Sequence, residues 1–346
     1  MTKIAILGGG SWGTGLAVVL AHSRHAHEIS LWVREPVLAE AISITRENKK
    51  YLPGIEIPER VSSSAVLATV LEHAQIVVSV VPSAHTRAVF THALPYISPD
   101  SIIVSATKGL EPATHLRTSQ VIRQVCSQRF FPELAVLSGP SFALEAARGE
   151  PTAVVIASES AAHTSEGVHR SGSRTAEYLQ EQFAGPTFRL YTNDDVLGVE
   201  LCGAIKNVMA IAAGTCQGLG LGANSLAALI TRGLSEMTRL AVKVGARPET
   251  LSGLAGLGDL VLTCTGALSR NRHVGFELGK GRPLGEILAE MSSVTEGVST
   301  APALLALAEE HRIDLPITEQ VNAILNEWKS PREAIRDIME RRLRPE

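Results

Sequence analysis

The strongest constraint on this chain lies in its first fifteen or so residues. Lys3-Ile4-Ala5-Ile6-Leu7 is a short apolar run that leads directly into Gly8-Gly9-Gly10-Ser11-Trp12-Gly13-Thr14-Gly15, and a helical run, Leu16-Ala17-Val18-Val19-Leu20-Ala21, follows. Gly8, Gly10 and Gly13 have the G-x-G-x-x-G spacing of a strand-to-helix turn that binds a dinucleotide. Gly8 allows the tight turn, Gly10 lets a pyrophosphate approach the backbone, and Gly13 lets helix and strand pack closely. The helix N-terminus then offers unpaired N–H groups and partial positive charge to the phosphates. Alone, the glycines would also suit a plain structural turn. The strand before them and the helix after them favour the cofactor reading.

At 346 residues the chain is long enough for two domains. Its net charge of −3 implies no basic face, so no nucleic acid partner is expected. The four cysteines, Cys126, Cys202, Cys216 and Cys264, show no C-x-x-C pairing. They read as small buried hydrophobes of a reducing compartment, with neither a disulfide framework nor a metal site. The opening strand begins at residue 3, which argues against a signal peptide. Asn207 to Thr231 carries no charge and is long enough to imitate a membrane span. The glycines from Gly218 to Gly222 predict instead two buried helices joined by a turn, and no integral membrane span.

The first half alternates strand and helix. Glu28–Val33, Gln75–Val81, Ser101–Ala106 and Leu134–Leu137 are apolar runs suited to parallel strands buried on both faces. Between them lie the helix-length stretches Leu38–Arg46, His85–Leu94 and Thr114–Cys126. This alternation predicts an α/β chain with an N-terminal Rossmann-type doubly wound sheet. Thr152–Ala157 and Phe188–Tyr191 are expected to add edge strands. From Asp194 onward apolar residues recur at helical spacing, as in Val196, Val199, Leu201 and Ile205, and Leu260–Thr263 is the one plausible strand. The expected division is a dinucleotide-binding domain over 1–190 and a mainly α-helical substrate or catalytic domain over 191–346. Ser158–Thr175, rich in Ser, His, Gly and Arg, reads as an exposed loop or a frayed helix.

The acid that bonds the ribose 2′-hydroxyl of NAD lies about 20 residues past the glycines, at the end of the second strand. Here that strand ends Trp32-Val33-Arg34-Glu35. Arg34 is the nearer charge, and a guanidinium matches a 2′-phosphate in bidentate fashion, which favours NADP over NAD. The counter-reading gives Glu35 the acid's role, or has Arg34 stack on adenine.

Further segments carry isolated polar groups. In Ala106-Thr107-Lys108-Gly109-Leu110-Glu111, Lys108 follows a buried strand, where open α/β sheets place ligands; it could equally be a solvated loop lysine. In Gly203-Ala204-Ile205-Lys206-Asn207, Lys206 is a lone charge in an apolar helix. Such a lysine either needs a carboxylate partner or has its pKa lowered by desolvation, and both suit proton transfer at a carbonyl oxygen. The bland alternative is a snorkelling side chain. Asp259 is the one acid in Ala255–Thr265 and could pair with Lys206, or serve only as an N-cap or Asx-turn residue. Ser269-Arg270-Asn271-Arg272 precedes another helical run, so Ser269 is an N-cap candidate. The arginine, the asparagine and the free helical N–H groups together suit an anion, unless this is an ordinary capped helix with a solvated arginine.

Taken in order, these segments resemble the bacterial NAD(P)-dependent glycerol-3-phosphate dehydrogenases. The motifs that carry the resemblance are the opening Gly8–Thr14, Ala106–Glu111, Ser138-Gly139-Pro140-Ser141-Phe142-Ala143, Gly203–Asn207, Thr231-Arg232-Gly233-Leu234-Ser235-Glu236-Met237, Gly256-Leu257-Gly258-Asp259-Leu260, Ser269–Arg272 and Val294-Thr295-Glu296-Gly297-Val298. The resemblance implies hydride transfer between NAD(P)H and dihydroxyacetone phosphate, giving sn-glycerol 3-phosphate for phospholipid synthesis, in a cytoplasmic homodimer. It implies that Lys206 exchanges a proton with the C2 oxygen and that Asp259 is the carboxylate beside it. Lys108, Gly139 and Ser141 then line the substrate, with Ser269, Arg270 and Asn271 at its phosphate end. Ser11, Trp12, Arg34, Lys108, Ala143, Arg270, Val294 and Glu296 join the glycines as cofactor contacts, as does Tyr51. Between Ala157 and Tyr191 the chain is longer than the family pattern, through Ser165–Thr175. A sister β-hydroxyacid or 6-phosphogluconate-type dehydrogenase would share the glycine turn and a catalytic lysine. A non-enzymatic NADP-binding sensor could keep the glycines without Lys108, Lys206 and Asp259.

Overall fold

A computed structural model describes residues 1–159, 172–291 and 295–342. The chain divides into two compact units, Met1–Glu111 with Leu116–Glu200, and Pro112–His115 with Leu201–Glu346.

The strands all lie in the first unit: β1 (Thr2–Leu7), β2 (His27–Trp32), β3 (Glu47–Asn48), β4 (Leu52–Glu56), β5 (Val61–Ser64), β6 (Ile76–Ser79), β7 (Ile102–Ser105), β8 (Glu133–Ser138), β9 (Thr152–Ser158) and β10 (Phe188–Asn193). Eight form one sheet in the order β10-β9-β8-β7-β6-β1-β2-β5, while β3 and β4 pair separately. The long apolar runs become interior strands because both of their faces are covered: Ile4, Ile6, Ile29, Ile76, Val78 and Val104 are completely buried. The chain leaves β1 toward β2 and β5 on one side and returns to build β6, β7 and β8 on the other. The order therefore reverses between β1 and β6, the position where such sheets bind ligands. Leu7 is in register with Trp32 and with Ser79, and Ser79 with Ser105. The segments beginning at Gly8, Val33, Val80 and Ala106 thus leave one edge of the sheet, and Gly139 follows β8, which runs parallel to β7, at that same edge.

The sheet departs from expectation on one side. β9 is interior, not an edge strand, and runs antiparallel to β8; β10 is the edge and runs parallel to β9. Apolar periodicity reports burial, not strand direction, so the reversal left no mark in the sequence. Most of the 158–175 stretch lies outside the described residues. Its end is helical, as one of the two expected readings had it: a helix begins at Gly172, with Arg174 exposed and Thr175 buried, the latter donating its hydroxyl proton to Glu133.

The helices of the first unit are α1 (Ser11–Ala21), α2 (Pro36–Thr45), α3 (Leu67–Leu71), α4 (Thr86–Ala93), α5 (Thr118–Cys126), α6 (Ala143–Ala147) and α7 (Gly172–Phe183). Then follow α8 (Val196–Gly218), α9 (Ala223–Lys243), α10 (Pro248–Ser252), α11 (Asp259–Thr265), α12 (Arg270–Gly279), α13 (Leu284–Glu290), α14 (Glu296–His311), α15 (Pro316–Asn326) and α16 (Pro331–Met339). Among the described residues the second unit holds no strand. The expected strand at Leu260–Thr263 is instead the body of α11, entered through a π-helical turn over Leu254–Gly258. A short run of Leu, Val and Thr does not distinguish the two states, and among the described residues no neighbouring strand pairs with it.

The charge-free stretch is two helices with a turn at Leu219–Gly222, as predicted. α8 is long and apolar enough to cross a membrane, but 94% of its apolar window is buried in protein. The expectation that both helices are buried holds for α8 only. In α9 the buried residues are Gly233, Glu236, Met237, Leu240 and Ala241, and Ala223, Asn224, Ala227 and Ala228 are exposed, small side chains that lose little by meeting water. Gly214 does not interrupt α8; it is a notch for α12. A Cβ there would lie 1.9 Å from the Arg272 carbonyl oxygen, and one on Gly275 would lie 1.9 Å from that of Ile211.

Candidate active site

In the first unit the glycine turn is shaped by contact. Gly8 has φ +126°, and a Cβ on Gly13 would fall 1.8 Å from the Gly8 carbonyl oxygen, so helix α1 meets β1 more closely than any larger residue permits. A Cβ on Gly10 would meet nothing within 4 Å, which leaves room where a pyrophosphate would approach. Gly10 is the N-cap of α1 and has no side chain to engage the first-turn N–H groups of Ser11 and Trp12. The turn therefore fits a dinucleotide. Asn48, fully buried, pins it from the side: its Nδ2 donates to the Gly9 carbonyl at 2.9 Å and to Thr14 Oγ1 at 2.8 Å. Trp12 and Ala143 pack against the core beside it, with Ala143 at the start of α6 facing Gly15.

At the end of β2, Arg34 is 73% exposed and its Nη2 is 4.0 Å from Glu35. Glu35 accepts from Lys50 Nζ at 2.9 and 2.7 Å, and Tyr51 donates to it at 3.3 Å. The Lys50 hydrogen bond holds the Glu35 carboxyl below the usual range. Farther along the same sheet edge, Lys108 Nζ and Ser141 Oγ both donate to the Gly139 carbonyl oxygen, at 2.9 and 3.1 Å. Gly109 and Gly139, at φ +138° and +137°, let the two loops turn. Glu111, buried, anchors the Lys108 loop through Arg87, whose Nε and Nη2 donate to it at 2.9 and 2.7 Å.

In the second unit Lys206 sits on α8 with its side chain 7% exposed. Its Nζ donates to Asp259 Oδ1 at 2.5 Å and to Thr263 Oγ1 at 2.9 Å. Asp259 and Thr263 are four residues apart on α11 and so lie on one face. The Thr263 hydroxyl spends its own proton on the Asp259 carbonyl, at 2.6 Å, leaving its oxygen as an acceptor for the ammonium. The adjacent Asn207 accepts from Asn271 Nδ2 at 3.0 Å, and Asn271 Oδ1 accepts from the Gly297 backbone N–H at 2.9 Å, so α8, α12 and the start of α14 share one amide chain. Arg270 is the first residue of α12, next to Asn271. It is exposed, with Glu296 nearby. Ser269 caps α12 by accepting from the Arg272 N–H at 3.3 Å. An ammonium held by a buried carboxylate and a guanidinium at a helix N-terminus, joined through Asn207 and Asn271, suit a small molecule with a carbonyl at one end and an anion at the other.

A family model described as the N-terminus of NAD-dependent glycerol-3-phosphate dehydrogenase matches residues 3–164, and its C-terminal counterpart matches residues 195–336. The chain belongs to the NAD-dependent glycerol-3-phosphate dehydrogenase family. It is 51% identical over 342 residues to the glycerol-3-phosphate dehydrogenase (NAD(P)+) of Koribacter versatilis, covering 99% of this chain and 98% of that one. It is likewise 51% identical over 346 residues to the enzyme of the same name from Acidobacterium capsulatum, covering 99% and 98%. The crystal structure of glycerol-3-phosphate dehydrogenase from Coxiella burnetii superposes with a TM-score of 0.89 at 41% identity, covering 98% of this chain and 99% of that one.

For a dehydrogenase of this family, the residues expected from the sequence fall into coherent groups within each unit. Gly8, Gly10, Ser11, Trp12, Gly13, Arg34, Tyr51 and Ala143 surround the glycine turn and the β2 end. Lys108, Gly139 and Ser141 meet at one carbonyl. Lys206 meets Asp259, and Asn271 adjoins Arg270. Val294 lies outside the described residues, and Glu296 opens α14. Sequence reasoning passed over Asn48, Lys50, Asn207 and Thr263. Thr263 was legible in principle, four residues after Asp259, had the segment been read as a helix. Asn48 and Lys50 gave no signal, since their partners at Gly9, Thr14 and Glu35 are set by the fold.

Proposed function

We propose that Lys206 is the proton donor and acceptor at the C2 oxygen in the reaction of this enzyme, the reversible reduction of dihydroxyacetone phosphate by NAD(P)H to sn-glycerol 3-phosphate. The observation that carries this reading is the buried Lys206–Asp259–Thr263 arrangement. Bound NAD(P)H supplies the hydride that C2 accepts. As C2 becomes tetrahedral, its oxygen gains negative charge, and Lys206 Nζ stabilises that charge and hands over a proton. Asp259 balances the ammonium and, with Thr263, fixes its direction. In the reverse direction the same amine takes the proton from the C2 hydroxyl.

Arg270 and the N-terminal N–H groups of α12 neutralise the substrate phosphate, with Ser269 and Asn271 beside them. Lys108, Gly139 and Ser141 also line the substrate. That unit binds the dinucleotide and the helical unit supplies substrate recognition and catalysis. Arg34 selects the 2′-phosphate, so NADPH is the preferred nucleotide and NADH the weaker one. Ser11, Trp12, Tyr51, Ala143, Val294 and Glu296 complete the cofactor's contacts, with Lys108 and Arg270 shared between cofactor and substrate. The enzyme works as a cytoplasmic homodimer that supplies glycerol phosphate for phospholipids, with neither nucleic acid nor an integral membrane span involved.

The test is turnover, followed by NADPH absorbance, on dihydroxyacetone phosphate and on dihydroxyacetone, which lacks the phosphate. The wild type should discriminate strongly between them. Arg270→Ala should raise KM for the phosphorylated substrate at least about tenfold, the order of one or two lost charge-assisted hydrogen bonds. An unchanged KM would remove Arg270 from the phosphate.

A further inference from the structure

The end of β2 holds both charges that dehydrogenases of this fold use to tell the two nucleotides apart. An acid there accepts from the ribose hydroxyls of NAD, whereas an arginine suits the 2′-phosphate of NADP. In this chain the acid is already engaged. Both Glu35 oxygens accept from Lys50 Nζ, and Tyr51 donates to one of them. Arg34 stays 4.0 Å from Glu35 and largely in solvent. Lys50 also lies 5.0 Å from the centre of the Tyr51 ring. The turn that presents Lys50 is not adventitious. Asn48, two residues earlier, is tied to the glycine turn through Gly9 and Thr14, and its Oδ1 accepts from the Tyr51 N–H at 3.2 Å.

We propose that Lys50 determines nucleotide selectivity: by occupying Glu35 it withdraws the acceptor that a free adenosine 2′-hydroxyl would use, and it balances the carboxylate 4.0 Å from Arg34, so that the group presents one net positive charge to a 2′-phosphate. The proposal rests on the assignment of Arg34 to that phosphate. With Lys50 present, the three side chains sum to one positive charge; without it they sum to zero and the carboxylate is open. The Lys50–Glu35 pair is exposed, and such pairs add little to folding, so variants at either position should fold.

The experiment measures kcat/KM for NADPH and for NADH, with dihydroxyacetone phosphate saturating, in the wild type, Lys50→Met, Glu35→Gln, the double variant and Arg34→Ala. Lys50→Met should lower the NADPH-to-NADH ratio by about fivefold or more, the effect of one unit charge at about 4 Å in water-like surroundings, with part of the change a gain for NADH. Glu35→Gln should keep or raise the ratio. The double variant should recover most of what Lys50→Met loses, because the freed carboxylate is gone. An unchanged ratio in Lys50→Met overturns the proposal, and so does a double variant as impaired as Lys50→Met. Arg34→Ala reads the underlying assignment separately: if its NADPH affinity is unchanged, Arg34 does not hold the phosphate, whatever the Lys50 arm shows.

Discussion

Lys206 and Asp259 stand out in the sequence for one reason: each is a single charge in a long apolar stretch. Burying either alone is costly, so the fold joins them, and Thr263 takes a second ammonium hydrogen. Removing one partner should show the asymmetry of a buried pair. Asp259→Asn leaves an uncompensated ammonium and should cost about 3–5 kcal/mol of stability, read by denaturant unfolding; Thr263→Val removes a hydrogen bond and should cost about 1–3 kcal/mol. Equal losses would contradict this division. Cys264 lies close to the pair, and burial pushes its thiol up to about 12, as it does that of Cys126. Both should resist aromatic disulfide reagents at pH 8 in the folded protein and react once it is unfolded. The lone charges were legible, and so was the Ser269 cap. Asn207 and Asn48 were not, because an asparagine announces neither that it is buried nor which distant amide or carbonyl it meets.

At the scale of elements, four glycines, Gly214 and Gly218 on α8 and Gly275 and Gly279 on α12, decide how the two helices meet. Gly214 and Gly275 sit where any side chain would overlap the other helix's backbone, so the helices that carry Asn207 and Asn271 come close enough for the amide bond between them. Gly275→Ala should destabilise the protein by about 1–3 kcal/mol, the usual penalty of overpacking, and lower the thermal midpoint accordingly. A midpoint within one degree or so of the wild type, on a scale where 1 kcal/mol is about 2–4 °C, would show that the contact is slack. A second joint is Glu236 on α9, which accepts from the N–H groups of Ile317 and Thr318 and from the Thr318 hydroxyl at the start of α15. Burial raises its pKa, against those hydrogen bonds. Because the folded value is the higher one, its contribution is full below the ordinary carboxylate range and is lost as pH rises through the folded value. The stability of Glu236→Gln relative to the wild type should therefore improve as pH is raised from about 4, near the ordinary carboxyl value, toward 7; a constant difference would contradict the burial argument. The longer strands and helices of the first unit were largely readable from periodicity, whereas β3, β4, β5 and α3 are too short to show, and the second unit was legible only as helical. The helix in place of a strand at Leu260–Thr263 and the antiparallel β9 are where pattern does not fix state or direction.

For the molecule as a whole, strand-helix alternation followed by helices alone carried the architecture, and ordered motifs along nearly the full length carried the family. Nucleotide binding should stabilise the folded chain by mass action, about 2.7 kcal/mol at one hundred times Kd. At equal concentrations NADPH should raise the thermal midpoint more than NADH, and equal shifts would refute the assigned preference. The central claim concerns one proton. The measurement that addresses it most directly is the single-turnover rate of NADPH oxidation when Lys206→Ala, preloaded with NADPH, is mixed with saturating dihydroxyacetone phosphate. A general acid contributes roughly 10²–10⁴-fold, so the rate should fall by that order while nucleotide affinity stays at the wild-type value. A rate close to that of the wild type would mean that the C2 oxygen receives its proton from another group.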